Sequence, residues 1–262
     1  MPMECPLKIQ GKCNRECERN PRYISYHPRP GTEEKLECYL KHMTLCSENF
    51  RKMYPKLRSS IERVVRKVVV YPLLPRQVIE NIVGATLLAH DVGKLTIEYQ
   101  EGKTWMRHEL PGFYILLETG TINHLASGLS PEVVEALKKI FSTSIYIMHE
   151  PLLIKYERGW LRFPSAVDLL WNMRGWSYHF VEDYLMAVEA TLTVFSLDNS
   201  LINFFRDVTK IDSEQLINAI IRVSTISYGP NSPSIRLAVA SITKLIKDID
   251  DEAARIGRMG MD

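Results

Sequence analysis

The chain has 262 residues, 45% of them hydrophobic and 24% charged, a composition that suits a folded domain and excludes a disordered or collagen-like polymer. Its 33 Lys and Arg against 31 Asp and Glu leave a formal charge of +2, so a nucleic-acid partner must be met by a local patch and not by a global field. The longest apolar run, Val68 to Pro75, is far short of the ~20 residues that span a bilayer, and Met1 to Lys12 lacks the apolar stretch of a signal peptide. A cytoplasmic protein with no membrane partner is expected.

Residues 1–31 read as an irregular arm, with prolines at 2, 6, 21, 28 and 30 and little periodicity. All five cysteines (Cys5, Cys13, Cys17, Cys38, Cys46) fall within the first 46 residues. Their odd number argues against a complete disulfide framework, and their spacing matches no paired CxxC zinc pattern. Free thiols, one disulfide, or a metal clip on the arm all stay open.

Helical signals follow. Thr32 is a plausible N-cap for a helix to about Lys52. Pro55 is expected to open a second, basic helix to about Val70. Residues 76–90 carry Val78, Ile79, Ile82, Val83, Thr86 and Leu87 at helical spacing. Further helices are predicted over about 109–118, 131–149, 164–172, 177–195, 213–225 and 233–255. Strand alternation is scarce. Asp250 to Asp262 is charged and contains glycine, so it reads as fraying. The expectation is an all-α fold: one helical domain over 32–255, an irregular Cys/Pro-rich arm before it, and a frayed tail over 256–262.

The sharpest chemical signal is His90-Asp91-Val92-Gly93-Lys94, which ends the apolar helix Ile82 to Ala89. An imidazole beside a carboxylate offers two kinds of metal donor, and a carboxylate can bridge two cations. Gly93 is expected to let the chain turn, so that Lys94 folds back toward a phosphate. Further donor types lie at the faces or ends of apolar helices: His42, His108, His149-Glu150 and Asp198. Aspartate is rarely buried unless paired or metal-bound.

The ordered set His42, His90-Asp91-x-Gly93-Lys94, Arg107-His108-Glu109-Leu110, His149 and Asp198 resembles the HD superfamily of metal-dependent phosphohydrolases. The HDVGK run ending in Tyr99-Gln100 and the Arg-His-Glu-Leu run are most similar to the stand-alone HD nuclease subunit of the type I CRISPR helicase-nuclease. The resemblance covers roughly residues 32–200 and implies an HD-type fold. It implies that His42, His90, Asp91 and Asp198 hold one metal, and that Asp91 bridges to a second held by His108 and His149. Asp91 and Lys94 would then be catalytic. The family has two adjacent histidines where this chain has His149-Glu150, so Glu150 either replaces the missing imidazole or faces away.

Two cations ~4 Å apart suit phosphodiester hydrolysis. Imidazole-rich sites favour manganese, nickel, cobalt, iron or zinc over magnesium. HExxH spacing fails at both His-Glu pairs, because Gly112 and Leu153 stand where the second histidine belongs. No phosphate loop is encoded, since Ile97 occupies the position of its first glycine before Gly102-Lys103-Thr104. His27, His124 and His179 are left as structural or solvent-facing.

Two segments suit a nucleic-acid chain. Residues 51–70 hold seven basic side chains and one acid, either a solvated helix face or a phosphate-binding strip. Lys155, Arg158, Trp160 and Arg162 interleave cations with aromatics, a pattern for stacking a single strand. The leading expectation is a nuclease on single-stranded DNA that acts with a separate helicase subunit and a CRISPR surveillance complex. The alternatives are an HD phosphohydrolase of nucleotides or cyclic nucleotides, and a degenerate module that only docks a partner.

Overall fold

The computed structural model describes residues 6–15, 20–28, 31, 35–69, 74–103, 106–148, 155–157, 160–162, 174–224 and 232–259. Their helices, in chain order, are α1 (Pro6–Ile9), α2 (Tyr39–Val69), α3 (Arg76–His90), α4 (Ile97–Gln100), α5 (Glu109–Glu118) and α6 (Thr121–Leu125). They continue as α7 (Pro131–Tyr146), α8 (Tyr184–Phe195), α9 (Asn203–Arg206), α10 (Ser213–Ser224) and α11 (Ser232–Met259). Three antiparallel two-stranded ribbons accompany them: β1 (Ile24–Tyr26) with β2 (Glu37–Cys38), β3 (Lys155–Glu157) with β4 (Trp160–Arg162), and β5 (Ser177–His179) with β6 (Lys210–Asp212). The fold is one mostly helical domain, as the sequence predicts.

The centre is α5. Leu110, Phe113, Ile115, Leu116 and Leu117 are all fully buried, so this helix is apolar on nearly every face and must sit inside. It packs between α3 and α7, while α11 runs against both α2 and α7. Each of these longer helices buries one stripe. In α11 the stripe is Ile242, Leu245, Ile246, Ile249 and Ala253.

Pro55 does not open a new helix. It lies inside α2, which continues for 31 residues. A mid-helix proline removes one hydrogen bond and costs about 3 kcal/mol. Here Pro55 faces solvent, while Phe50 and Tyr54 before it and Ile61 and Val65 after it enter the core. Burial on both sides outweighs the lost bond. The helix expected to begin near Thr32 starts at Tyr39, because Glu37 and Cys38 pair with Tyr26 and Ile24 in the first ribbon. Residues 177–179 form β5 rather than a helix start, and α8 begins at Tyr184. The helix expected over 164–172 lies outside the described residues.

The described parts of the N-terminal arm are docked onto the domain. Leu7 and Tyr23 are buried, and Arg22 pairs with Asp183. The side-chain amide of Gln100 accepts from the Ile24 N–H at 2.9 Å and donates to the Ile24 carbonyl at 2.9 Å, completing the edge of β1. Cys13 and Cys46 are free thiols and Cys38 is buried in β2; Cys5 and Cys17 lie outside the described residues. The C-terminal segment is not frayed at Asp250: α11 runs on to Met259, and Asp250 is 8% exposed.

Candidate metal centre

Helix α3 delivers His90 at its last turn and Asp91 at its C-cap, and a 3-10 turn over Val92–Leu95 follows. That turn is fixed by the Lys94 N–H on the Asp91 carbonyl (2.9 Å) and by the Thr96 hydroxyl on the Gly93 carbonyl (2.7 Å). Val92 and Leu95 are buried, so hydrophobic anchors on both sides leave Asp91 little freedom. Glycines bring α5 against this turn. A Cβ at Gly93 would lie 2.0 Å from the His108 carbonyl oxygen, and one at Gly112 would lie 1.7 Å from that of Ala89. Gly93 is needed for this close approach, and not for the turn expected of it. Arg107 then anchors the start of α5 by donating to the Tyr146 carbonyl and pairing with Glu109, each at 2.7 Å. His108 is thereby set beside Asp91.

The donor atoms converge. His42 Nε2 lies 3.0 Å from Asp91 Oδ2, 2.9 Å from Asp250 Oδ1 and 3.5 Å from Cys46 Sγ. His90 Nε2 lies 3.6 Å from Asp91 Oδ1 and 3.5 Å from Asp250 Oδ1, and His108 Nε2 lies 3.6 Å from Asp91 Oδ1. His42, Cys46, His90 and Asp250 present ligand atoms all within 4.8 Å of one another. The cluster is buried, and its most exposed side chains are His108 at 19% and Asp250 at 11%.

These residues fit a divalent cation. His42 donates from Nδ1 to Glu37 Oε1 at 3.2 Å, and His90 donates from Nδ1 to the Leu87 carbonyl. Both rings therefore turn Nε2 toward the cluster, the arrangement in which a partner on one imidazole nitrogen orients the other for a metal. His90 Nε2 and Asp91 Oδ1 are buried with no hydrogen-bond partner, an expensive state unless a further group satisfies them. Separations of 2.9–3.6 Å match those between ligands placed about 2.0–2.3 Å from one shared cation.

The electrostatics agree. Burial alone would raise the Asp91 and Asp250 carboxyls, but His90, Lys94 and His42 around Asp91, and His42 and His90 around Asp250, hold both well below the usual carboxylate range. Burial opposes charge on His42, yet the Glu37 and Asp250 carboxylates beside it raise its basicity well above the ordinary value. A proton on His42 thus balances the site electrically, and a bound cation would displace it.

The structure brings together His42, His90, Asp91, Lys94 and His108. It places Asp198 elsewhere. Asp198 is 58% exposed, caps a 3-10 turn through the Ser200 N–H at 2.8 Å, and meets His124 at 3.2 Å. The carboxylate beside His42 and His90 is instead Asp250, from α11. Asp198 ends its apolar helix facing solvent because Ser196 adopts a left-handed conformation (φ 54°) that closes α8 and redirects the chain. Lys94 does not reach outward. Its ammonium lies 2.8 Å from Asp91 Oδ2 and donates to Ser25 Oγ at 3.2 Å.

His149, Glu150 and Arg158 lie outside the described residues, so a second cation between Asp91 and His108 rests on ligands the structure does not describe. Lys155, Trp160 and Arg162 are described only as backbone in the β3–β4 ribbon. The remaining histidines are engaged elsewhere: His27 with the Tyr99 carbonyl (2.9 Å), His124 with Asp198 and Ser200, and His179 with Glu98 (2.6 Å).

Sequence reasoning missed Asp250, Cys46 and Glu37. Two of them carried a signal. Asp250 falls on the apolar stripe of α11, four residues after Ile246, and Cys46 falls four residues after His42 on the buried face of α2. Comparison of the chain with protein-family models and with curated proteins finds no match. The buried cluster of ligand atoms is what speaks for a metal site.

Proposed function

We propose that the protein is a metal-dependent hydrolase of phosphodiesters, of the HD type, acting on single-stranded DNA. The observation that carries this reading is the convergence of His42, His90, Asp91 and His108 on one buried cluster around the Asp91 carboxylate. These are four of the positions that the resemblance to HD phosphohydrolases selects. Manganese, nickel, cobalt, iron or zinc suits the imidazole-rich set better than magnesium.

A cation held there supplies Lewis acidity toward a phosphoryl oxygen and activates water for attack. The rest falls to the protein. Asp91 stays ionised and offers one carboxylate oxygen to each side of the cluster. Glu37 and the Leu87 carbonyl fix the two imidazoles. Burial disfavours charge on Lys94, but the Asp91 and Asp250 carboxylates outweigh it and keep the ammonium protonated. Buried and paired with Asp91, it offsets carboxylate charge inside the cluster.

A strand-shaped substrate is supported by two features. Lys52, Lys56, Arg63 and Lys67 are exposed along α2, which starts at the cluster and carries this basic face over about 22 Å at 1.5 Å per residue; Arg51 instead donates to the Val194 carbonyl at 2.6 Å. Arg58 and Arg66 belong less to that face, because both turn toward Glu62, at 3.0 and 3.5 Å. The second feature is the cationic and aromatic composition of the β3–β4 ribbon. The separate helicase subunit that would unwind a duplex, like the CRISPR setting, rests on the resemblance alone.

The test is hydrolysis by chelated protein, to which manganese or nickel is returned, with a labelled single strand and a panel of nucleotides and cyclic nucleotides. Cleavage of the strand is expected. Turnover of the nucleotides alone would replace the substrate class, and no turnover of either would overturn the enzymatic reading.

A further inference from the structure

We infer that Cys46 is a sulfur ligand of the metal centre and gives it a preference for thiophilic cations. The inference rests on the reading of the cluster as a metal site and goes beyond it, because neither the HD motif nor the resemblance assigns a cysteine.

Cys46 is fully buried one helical turn after His42. Residues four apart on a helix share one face, so α2 presents an imidazole and a thiol side by side. The Sγ to Nε2 distance is 3.5 Å, as expected between two ligands of a tetrahedral cation with a metal–sulfur distance of about 2.3 Å and a metal–nitrogen distance of about 2.0–2.1 Å. His90 Nε2 independently points to a ligand in the same space: it belongs to a fully buried side chain and has no hydrogen-bond partner. Asp250 completes a set of two nitrogens, one sulfur and one oxygen. Ligation exchanges the S–H bond for a sulfur–metal bond, and the thiol proton leaves to solvent. Soft thiolate favours zinc and cobalt over manganese and magnesium, which prefer oxygen.

The experiment titrates chelated protein with cobalt(II) and follows absorption, then measures zinc and manganese affinities by competition with a chromophoric chelator. In the unmodified chain, cobalt binding is expected to bring a near-ultraviolet sulfur-to-cobalt charge-transfer band. Cys46→Ser is expected to bind cobalt without that band. Its zinc affinity should fall by roughly tenfold or more while its manganese affinity changes by less than about twofold. A chain with Cys5, Cys13, Cys17 and Cys38 all replaced by serine must keep the band, which decides the matter even if Cys46→Ser fails to fold. Cobalt bound without the band in the unmodified chain, or a band that survives in Cys46→Ser, overturns the sulfur ligand and leaves the centre standing. No cobalt binding at all overturns the centre as well.

Discussion

Asp250 Oδ1 lies 2.9 Å from His42 Nε2, although 208 residues separate the two. The contact joins α11 to α2, and it makes the C-terminal helix part of the centre. Gly257, two turns further on, comes so close to Glu37 that a Cβ there would lie 2.0 Å from Glu37 Oε1. Strand β2 and helix α11 therefore close over His42 from both of its nitrogens: Glu37 at Nδ1, Asp250 at Nε2.

Asp250→Asn keeps the volume and removes the charge. It is expected to weaken metal binding by roughly tenfold or more and to abolish hydrolysis, with helical content unchanged. Asp198→Asn, at an exposed cap, should leave both within about twofold. Titration with manganese or zinc, paired with circular dichroism, checks this. Equal losses in the two variants would mean that Asp250 is not the carboxylate that serves the site.

Glu37→Gln tests the orientation of His42. The amide can present an N–H to Nδ1 where the carboxylate accepted one, and this favours the wrong imidazole tautomer. Metal affinity should drop roughly 10–100-fold, with a stability cost of about 1–3 kcal/mol for the disturbed buried pair. Nitrogen-15 NMR of the imidazole reads the tautomer directly. An unchanged tautomer together with unchanged affinity would remove Glu37 from the account.

Gly93→Ala tests the close approach of α5. The added methyl meets the His108 carbonyl, so α5 or the turn must move, at a cost of about 1–3 kcal/mol. Activity should fall further than that destabilisation explains, because His108 shifts away from Asp91. Thermal unfolding and hydrolysis measured on one preparation separate the two effects. Full activity in a folded Gly93→Ala protein would show that His108 does not need this position.

Trp160→Ala concerns substrate form. If the β3–β4 ribbon stacks a base, single-stranded DNA binding weakens by about 1–3 kcal/mol, while hydrolysis of a small model phosphodiester is spared. Equal loss on both substrates would assign Trp160 to packing.

The helical class was legible because apolar residues recur every three to four positions from Leu36 to Ala254, and His90-Asp91 was legible because a polar pair ends an apolar helix. The partners of that pair were not. Asp250 sits among charged neighbours, Asp248, Asp251 and Glu252, and only its register on the stripe of α11 separates it from them. Asp198 ends an apolar helix just as His90 does, yet the left-handed Ser196 that turns it to solvent has no mark in the residue type. Pro55 reads as a helix start in any local window. The burial on both sides of it, which carries α2 through, is a tertiary effect.

The most direct measurement is anomalous scattering from crystals grown with manganese or zinc, collected at the metal edge. A peak is expected within the cluster of His42, Cys46, His90, Asp91 and Asp250, with Lys94 displaced from Asp91 Oδ2 or retained on the outer side of the carboxylate. A fully loaded crystal with no peak among these residues, or with its peak at Asp198 and His124, would contradict it.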